Sequence, residues 1–258
     1  EVFYKFSDKD LTDCKEIQLQ AFEYQPQKWN GKVILFSHDA AGGTSTSSGA
    51  YQYNSEWIKT PIKFINISKY AVDNGYVFIT YMRKGRGRSG GDFSEELGSC
   101  GWATLQRQVH EAEKQLTQMV EQVKAKYQVE QLVLMGIGRG GFLSSYYAGR
   151  NPNQVSAVVN LAGTWLSTCE DQSGRPARKM IEENAKRFKP QYWAYFENDR
   201  YFKTGAFGDW DYSWFKKVTS ENNIYFKVFS QDNRKDGHET PTWTPREWAL
   251  DIFPRLPQ

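Results

Sequence analysis

From residue 32 to the C-terminus, short apolar runs alternate with amphipathic stretches, and that alternation constrains the fold more than any other feature. "KVILFS" (32–37), "YVFITYM" (76–82) and "QLVLMG" (131–136) are continuous apolar runs, as expected of strands buried on both faces. "VSAVVNLAG" (155–163), "QYWAYFEND" (191–199) and "NIYFKVFS" (223–230) read as further strands. Helical patterns fall between them. "IKFINISKYAVDNG" (62–75) has apolar residues at 62, 65, 67 and 71 and stops at Gly75, and Trp102 to Tyr127 puts Leu105, Val109, Leu116, Met119, Val120 and Val123 on one face. "GFLSSYYAGR", "RPARKMIEENAKRF", "DWDYSWFKKVTS" and "TPREWALDIF" complete the helices, and "EIQLQAFE" (16–23) alternates as a half-buried strand ahead of the series. The pattern predicts an α/β fold with a mostly parallel central sheet and helices on both faces. No linker or repeat interrupts it, so residues 1–258 read as a single domain. One short helical segment between Gly163 and Gln191 leaves no large lid domain. In such sheets, sites form beyond the carboxyl ends of the strands.

Bulk properties narrow the partners. The formal net charge is +3, too small an excess to suggest nucleic acid. The densest basic run, "RKGRGR" (83–88), is interleaved with glycine and reads as a loop after a strand rather than a phosphate-binding patch. No apolar stretch approaches the ~18 residues of a membrane span. Nine Trp and fifteen Tyr exceed what a core requires, so some are expected to line a cleft. Cys14, Cys100 and Cys169 lack metal-ligand spacing. The start at Glu1 suggests a processed or trimmed N-terminus.

The most informative turn is "QLVLMGIGRGGFLSSYYAG" (131–149), where an apolar run enters a helix through Gly136-Ile137-Gly138-Arg139-Gly140. This is the spacing of a nucleophile elbow, G-x-S-x-G, with Gly138 at the nucleophile position. Glycine preserves the backbone of such a turn but cannot attack a carbonyl. A dinucleotide loop is the competing reading, because Gly136, Gly138 and Gly141 also fit G-x-G-x-x-G. Its support is weaker: the turn lies mid-chain and the next strand, "VSAVVNLAG", ends without an acidic residue.

Of three histidines, His110 lies in the long helix and reads as a surface residue, and His38 ends a buried strand. His238, in "RKDGHETP" after the last strand, is the expected general base. Asp199, just past the strand end in "YFENDRYF", is the expected acid, with Glu197 as a substitute. The backbone N–H groups of Arg139 and of Ala40, in "HDAAGG", are the expected oxyanion-hole donors.

Taken in order, "LFSHDAAGG", "NGYVFITYMRKGRGRSGG", "LMGIGRGGFLSSYYAGRNP", "VVNLAGTW", "YFENDRYF" and "DGHE" resemble the dienelactone-hydrolase-like branch of the α/β-hydrolases, from about residue 30 to the C-terminus. The resemblance implies the α/β-hydrolase fold and a serine hydrolase with a Ser-Asp-His triad. The implied substrate is a small ester, lactone or amide, with no metal and no organic cofactor. At Gly138 the chain departs from that pattern. Either it is a natural pseudo-hydrolase that kept the pocket for binding, or an active enzyme whose serine was replaced; the retained Asp199, His238 and elbow glycines favour the second. A peptidase on the same fold is a further alternative. As written, the chain is expected to be nearly inactive, with residual activity only if a water fills the vacated space and His238 activates it.

The substrate pocket is expected to draw on Trp165, Tyr201, Phe202 and Trp210, while Trp214 reads as core. Arg139 could recognise a carboxylate, but an arginine at this place is more often tied to the protein's own acids. The resemblance also implies a Cys100–Cys169 disulfide, and such a bridge would imply a secreted or periplasmic protein. A cytoplasmic location and the oligomeric state stay open.

Overall fold

The computed structural model describes residues 1–7, 16–40, 43–45, 51–53, 55–93, 95, 102–165, 175–197, 199, 212–230, 237–238 and 240–257. Its strands are β1 (Val2–Ser7), β2 (Glu16–Tyr24), β3 (Lys32–Ser37), β4 (Gly43–Ser45), β5 (Tyr51–Tyr53), β6 (Val77–Tyr81), β7 (Gln131–Ile137), β8 (Ala157–Leu161), β9 (Gln191–Phe196) and β10 (Ile224–Phe229). The helices are α1 (Ser55–Lys59), α2 (Ile65–Asp73), α3 (Trp102–Tyr127), α4 (Arg139–Arg150), α5 (Arg175–Ala185), α6 (Tyr212–Ser220), α7 (Thr240–Trp243) and α8 (Arg246–Ile252), followed by a 3₁₀ turn at Phe253–Arg255.

Eight strands form one sheet in the order β1-β2-β6-β3-β7-β8-β9-β10. From β6 to β10 the pairs are parallel, and β2 joins β6 and β1 antiparallel. Alternate residues of β3 feed two cores. Val33 and Leu35 pack with the apolar stripe of α3 and with α4, α5 and α6, whereas Ile34 and Phe36 pack with α2 and α8. The stripe of α3 is the one anticipated from periodicity, and fully burying each of its larger side chains stabilises the fold by about 2 kcal/mol. No helix of the described residues is long and apolar enough to cross a membrane.

Several local expectations change. β1 was not anticipated; it pairs with β2 and alternates buried and exposed residues. The Gly/Ser/Thr-rich loop after β3 contributes β4 to a small hairpin with β5. Helix α2 begins at Ile65 rather than Ile62, because Phe64 takes a left-handed backbone, φ 49°. Most of "VSAVVNLAG" is β8, which ends at Leu161.

Register then assembles the site. Ser37 pairs with Gly136 on one side and with Tyr81 on the other. Residues two positions beyond Ser37, Gly136 and Tyr81, namely Asp39, Gly138 and Arg83, are therefore brought together at the carboxyl edge of the sheet.

Candidate active site

Between β7 and α4, Gly138 adopts φ 53°, ψ −121°, a positive-φ conformation that strains any residue with a Cβ. Its N–H donates to Leu161 O at 3.0 Å, and its carbonyl accepts from Thr164 N and Phe142 N, each at 3.0 Å. Gly136 and Gly140 permit close backbone approach: a Cβ on Gly136 would overlap the backbone of Gly140, and one on Gly140 would overlap the Ser37 carbonyl. The turn thus has the tight positive-φ backbone, as well as the spacing, expected of a nucleophile elbow.

The space a side chain at 138 would enter is occupied. A Cβ built on Gly138 would overlap the carboxylate of Asp39, not a water site. Asp39 Oδ1 accepts the N–H of Ala40 at 2.6 Å and that of Arg139 at 2.8 Å. These are the two donors expected to form the oxyanion hole, and both are satisfied by one oxygen of the chain's own carboxylate. Arg139 is the first residue of α4, and the helix N-terminus adds its partial positive charge.

The second oxygen, Oδ2, lies 3.0 Å from His238 Nε2, and His238 Nδ1 lies 3.3 Å from Asp199 Oδ2. The imidazole thus bridges two carboxylates, with an acceptor at each ring nitrogen. Burial alone would lower the pKa of His238; Asp199 and then Asp39 outweigh that and hold it up at about 10. An acceptor at each ring nitrogen favours the doubly protonated ring. Burial would raise the pKa of Asp39, but the hydrogen bond and charge of His238, with the Arg139 and Ala40 N–H groups, hold it well below the ordinary range.

Beneath Asp39 lies a buried ionic floor that the sequence reading did not find. Arg83 forms a bidentate ion pair with Glu95, and its guanidinium also donates to the His38 carbonyl at 2.7 Å and the Asp39 carbonyl at 3.1 Å. Arg86 Nη1 donates to the same Asp39 carbonyl at 3.2 Å. Arg139 Nη1 meets the Glu95 carbonyl at 3.1 Å and its Oε2 at 3.5 Å. Arg83, Arg86, Arg139 and Glu95 are all buried. The "RKGRGR" run is therefore a loop whose first two arginines turn inward. His38 is also buried: its Nε2 accepts the Arg83 N–H at 3.0 Å, leaving Nδ1 to donate to the Asp39 carbonyl. Burial, with Arg83 and Arg86 nearby, pushes its pKa well below the usual value, so it is neutral.

The other candidates divide. Asp199 and His238 are enclosed and meet as expected, and His110 is exposed on α3. Trp165 does not face the cleft: it is fully buried, edge-on to Phe142 at 5.8 Å, with its indole N–H toward Gln108 and the Arg139 guanidinium over its ring. Arg139 is held by Glu95 rather than turned toward a ligand. Trp214 is core, donating to Glu182 at 2.6 Å. Tyr201, Phe202, Trp210, Cys14, Cys100 and Cys169 lie outside the described residues. The signal for Asp39 was faint: a carboxylate beside the oxyanion donor Ala40, in a chain lacking a nucleophile at 138.

Comparison with known proteins fits this geometry. The family model Hydrolase_4 (serine aminopeptidase, S33) matches residues 62–235, more than half of the chain. A search of curated proteins returns no match. Among solved structures, Est1E from Butyrivibrio proteoclasticus with bound ferulic acid superposes with TM-score 0.64 at 12% identity, over 99% of both chains. A probable hydrolytic enzyme from Pseudomonas aeruginosa gives 0.62 at 13%, over 100% of this chain and 94% of that one. An α/β serine hydrolase without a lid from Xanthomonas campestris gives 0.60 at 10%, over 100% and 95%. At such identities the likeness shows the α/β-hydrolase fold.

Proposed function

The chain belongs to the serine aminopeptidase S33 family of α/β-hydrolases, and we propose that its pocket is an esterase-type site whose serine-dependent chemistry is switched off at Gly138 and whose nucleophile space is taken by Asp39. One observation carries the reading: a single carboxylate accepts both oxyanion-hole N–H groups and faces the base of an Asp199–His238 dyad. Two backbone donors and an Asp199–His238 pair surround the turn, but the hydroxyl is missing and Asp39 fills both its space and the donors' reach.

On this reading, small esters, lactones or amides are not turned over at a serine-enzyme rate. Loss of a triad nucleophile lowers turnover by about six orders of magnitude. An acyl substrate also finds the hole already holding Oδ1, which supports a second reading of the native chain as a binding protein for small molecules of the same class. Ferulic acid bound to the structurally similar Est1E supports a small organic ligand. The fit between Asp39 and Gly138 supports glycine as the residue that belongs with this pocket, rather than a serine lost from an otherwise intact enzyme.

The test exchanges the two positions. Gly138→Ser alone forces its Cβ onto Asp39 and should neither label with a fluorophosphonate nor hydrolyse short aryl esters. Asp39→Gly with Gly138→Ser empties the space and should do both. A folded double variant that neither labels nor turns over would overturn the reading.

A further inference from the structure

We propose that Asp39 is itself a nucleophile, and that the native site hydrolyses small molecules carrying a weakly basic leaving group, such as a halide, on a saturated carbon. This deepens the reading above, since it uses the same hole and the same Asp199–His238 dyad.

The geometry divides labour between the two carboxylate oxygens. Oδ1 is fixed by two backbone N–H groups, while Oδ2 meets the imidazole of His238. Asp39 retains 32% side-chain exposure, whereas His238 and Asp199 retain 3% and 1%; of the three, only Asp39 can be reached from outside. Arg83 and Arg86 hold the Asp39 carbonyl from behind, so the side chain projects from a fixed backbone. Gly138 supplies the room, because any side chain there would collide with the carboxylate.

A carboxylate is an activated nucleophile without a base to deprotonate it. At an ester carbonyl it is ineffective: the tetrahedral adduct expels the weaker base, which is the carboxylate rather than the alkoxide. At a saturated carbon bearing a halide that return is absent. Oδ2 displaces the halide with its bonding electrons, and an alkyl ester of Asp39 forms.

Alkylation removes the charge of Asp39 and with it one of the two carboxylates that hold the proton on His238. His238 releases that proton to solvent and becomes a base, with Asp199 still on Nδ1. It then takes a proton from water as the water oxygen adds to Cγ of Asp39. The developing negative charge falls on Oδ1, where the Ala40 and Arg139 N–H groups already point. Collapse breaks the Cγ–O bond to the alkyl group, the adduct's hydroxyl proton passes to the departing alkoxide, and the alcohol leaves. Asp39 carboxylate and His238 imidazolium are restored, and the sum is alkyl halide plus water giving alcohol, halide ion and a proton.

The test runs one turnover of the intact chain with 1-bromobutane in water enriched in heavy oxygen, followed by mass spectrometry of the Asp39 peptide. Heavy oxygen in the Asp39 carboxyl, bromide release, and at least a thousandfold loss of release in Asp39→Asn are expected, a floor well inside the about millionfold loss that removing a nucleophile causes. In His238→Gln the butyl ester should accumulate on Asp39. Bromide release with heavy oxygen only in the first-turnover butanol would mean direct attack by water and would overturn the proposal. So would a folded intact chain that releases no bromide and gains no butyl mass. Either result leaves the position-exchange experiment to judge the esterase-type pocket on its own.

Discussion

Two aspartates face the same imidazole, and their surroundings differ in almost every respect. Asp199 reaches His238 Nδ1 from the turn after β9 and is enclosed. Asp39 reaches Nε2 from the turn after β3, stays partly exposed, and has one oxygen in the grip of two backbone N–H groups. The Asp199 side orients the ring. The Asp39 side presents a charged oxygen outward on a braced backbone. The contrast teaches that identical side chains acquire different work from burial and from what fixes their second oxygen.

The contrast breaks most severely if the brace is cut. Glu95 is the carboxylate shared by Arg83 and Arg139 beneath Asp39. Glu95→Gln removes that charge from a buried cluster and should cost about 3 kcal/mol or more of stability. Urea unfolding of the variant measures this; a loss within a few tenths of a kcal/mol would mean the floor does not hold the Asp39 loop.

That floor also marks the limit of what the sequence made legible. The long stripe of α3, the apolar strands and the elbow spacing are local patterns, and they place Gly138, Asp199 and His238 in the right order along the sheet edge. Asp39 carries no such pattern. Its role comes from register, since Ser37 pairs with Gly136 and so sets Asp39 beside Gly138, and pairing of strands 99 residues apart leaves no local trace. Arg83 was hidden in the same way, as one charge in a glycine-rich run that β6 delivers beside the end of β3. Trp165 misled for the opposite reason: its place after a strand end suggested the cleft, but its ring packs behind the N-terminus of α4 against Phe142. β1 was overlooked although its alternation is regular.

A smaller effect sharpens the comparison through pH. His238 is raised from 6.5 to about 10, so its stabilising contribution is complete below pH 6.5 and is lost as pH rises through about 10. Asp39 is lowered from 3.8, so its contribution is present above pH 3.8 and is lost as pH falls through its folded value. The network is therefore fully formed between pH 3.8 and 6.5, and Tm should decline from there toward pH 10. Asp39→Asn should make the alkaline decline shallower by about 1 kcal/mol, a modest figure because Asp39 is partly open to solvent. Thermal melts across that range check it, and parallel profiles for the two proteins would separate Asp39 from the titration.

The most direct measurement is the protonation of His238 itself, followed by nitrogen NMR of the imidazole in the intact chain and in Asp39→Asn. The two facing carboxylates predict both ring nitrogens protonated at about pH 8, a pKa raised to about 10, and a clear downward displacement when Asp39 loses its charge. A neutral His238 at about pH 7, titrating identically with and without the Asp39 carboxylate, would contradict the claim that Asp39 occupies the nucleophile's place.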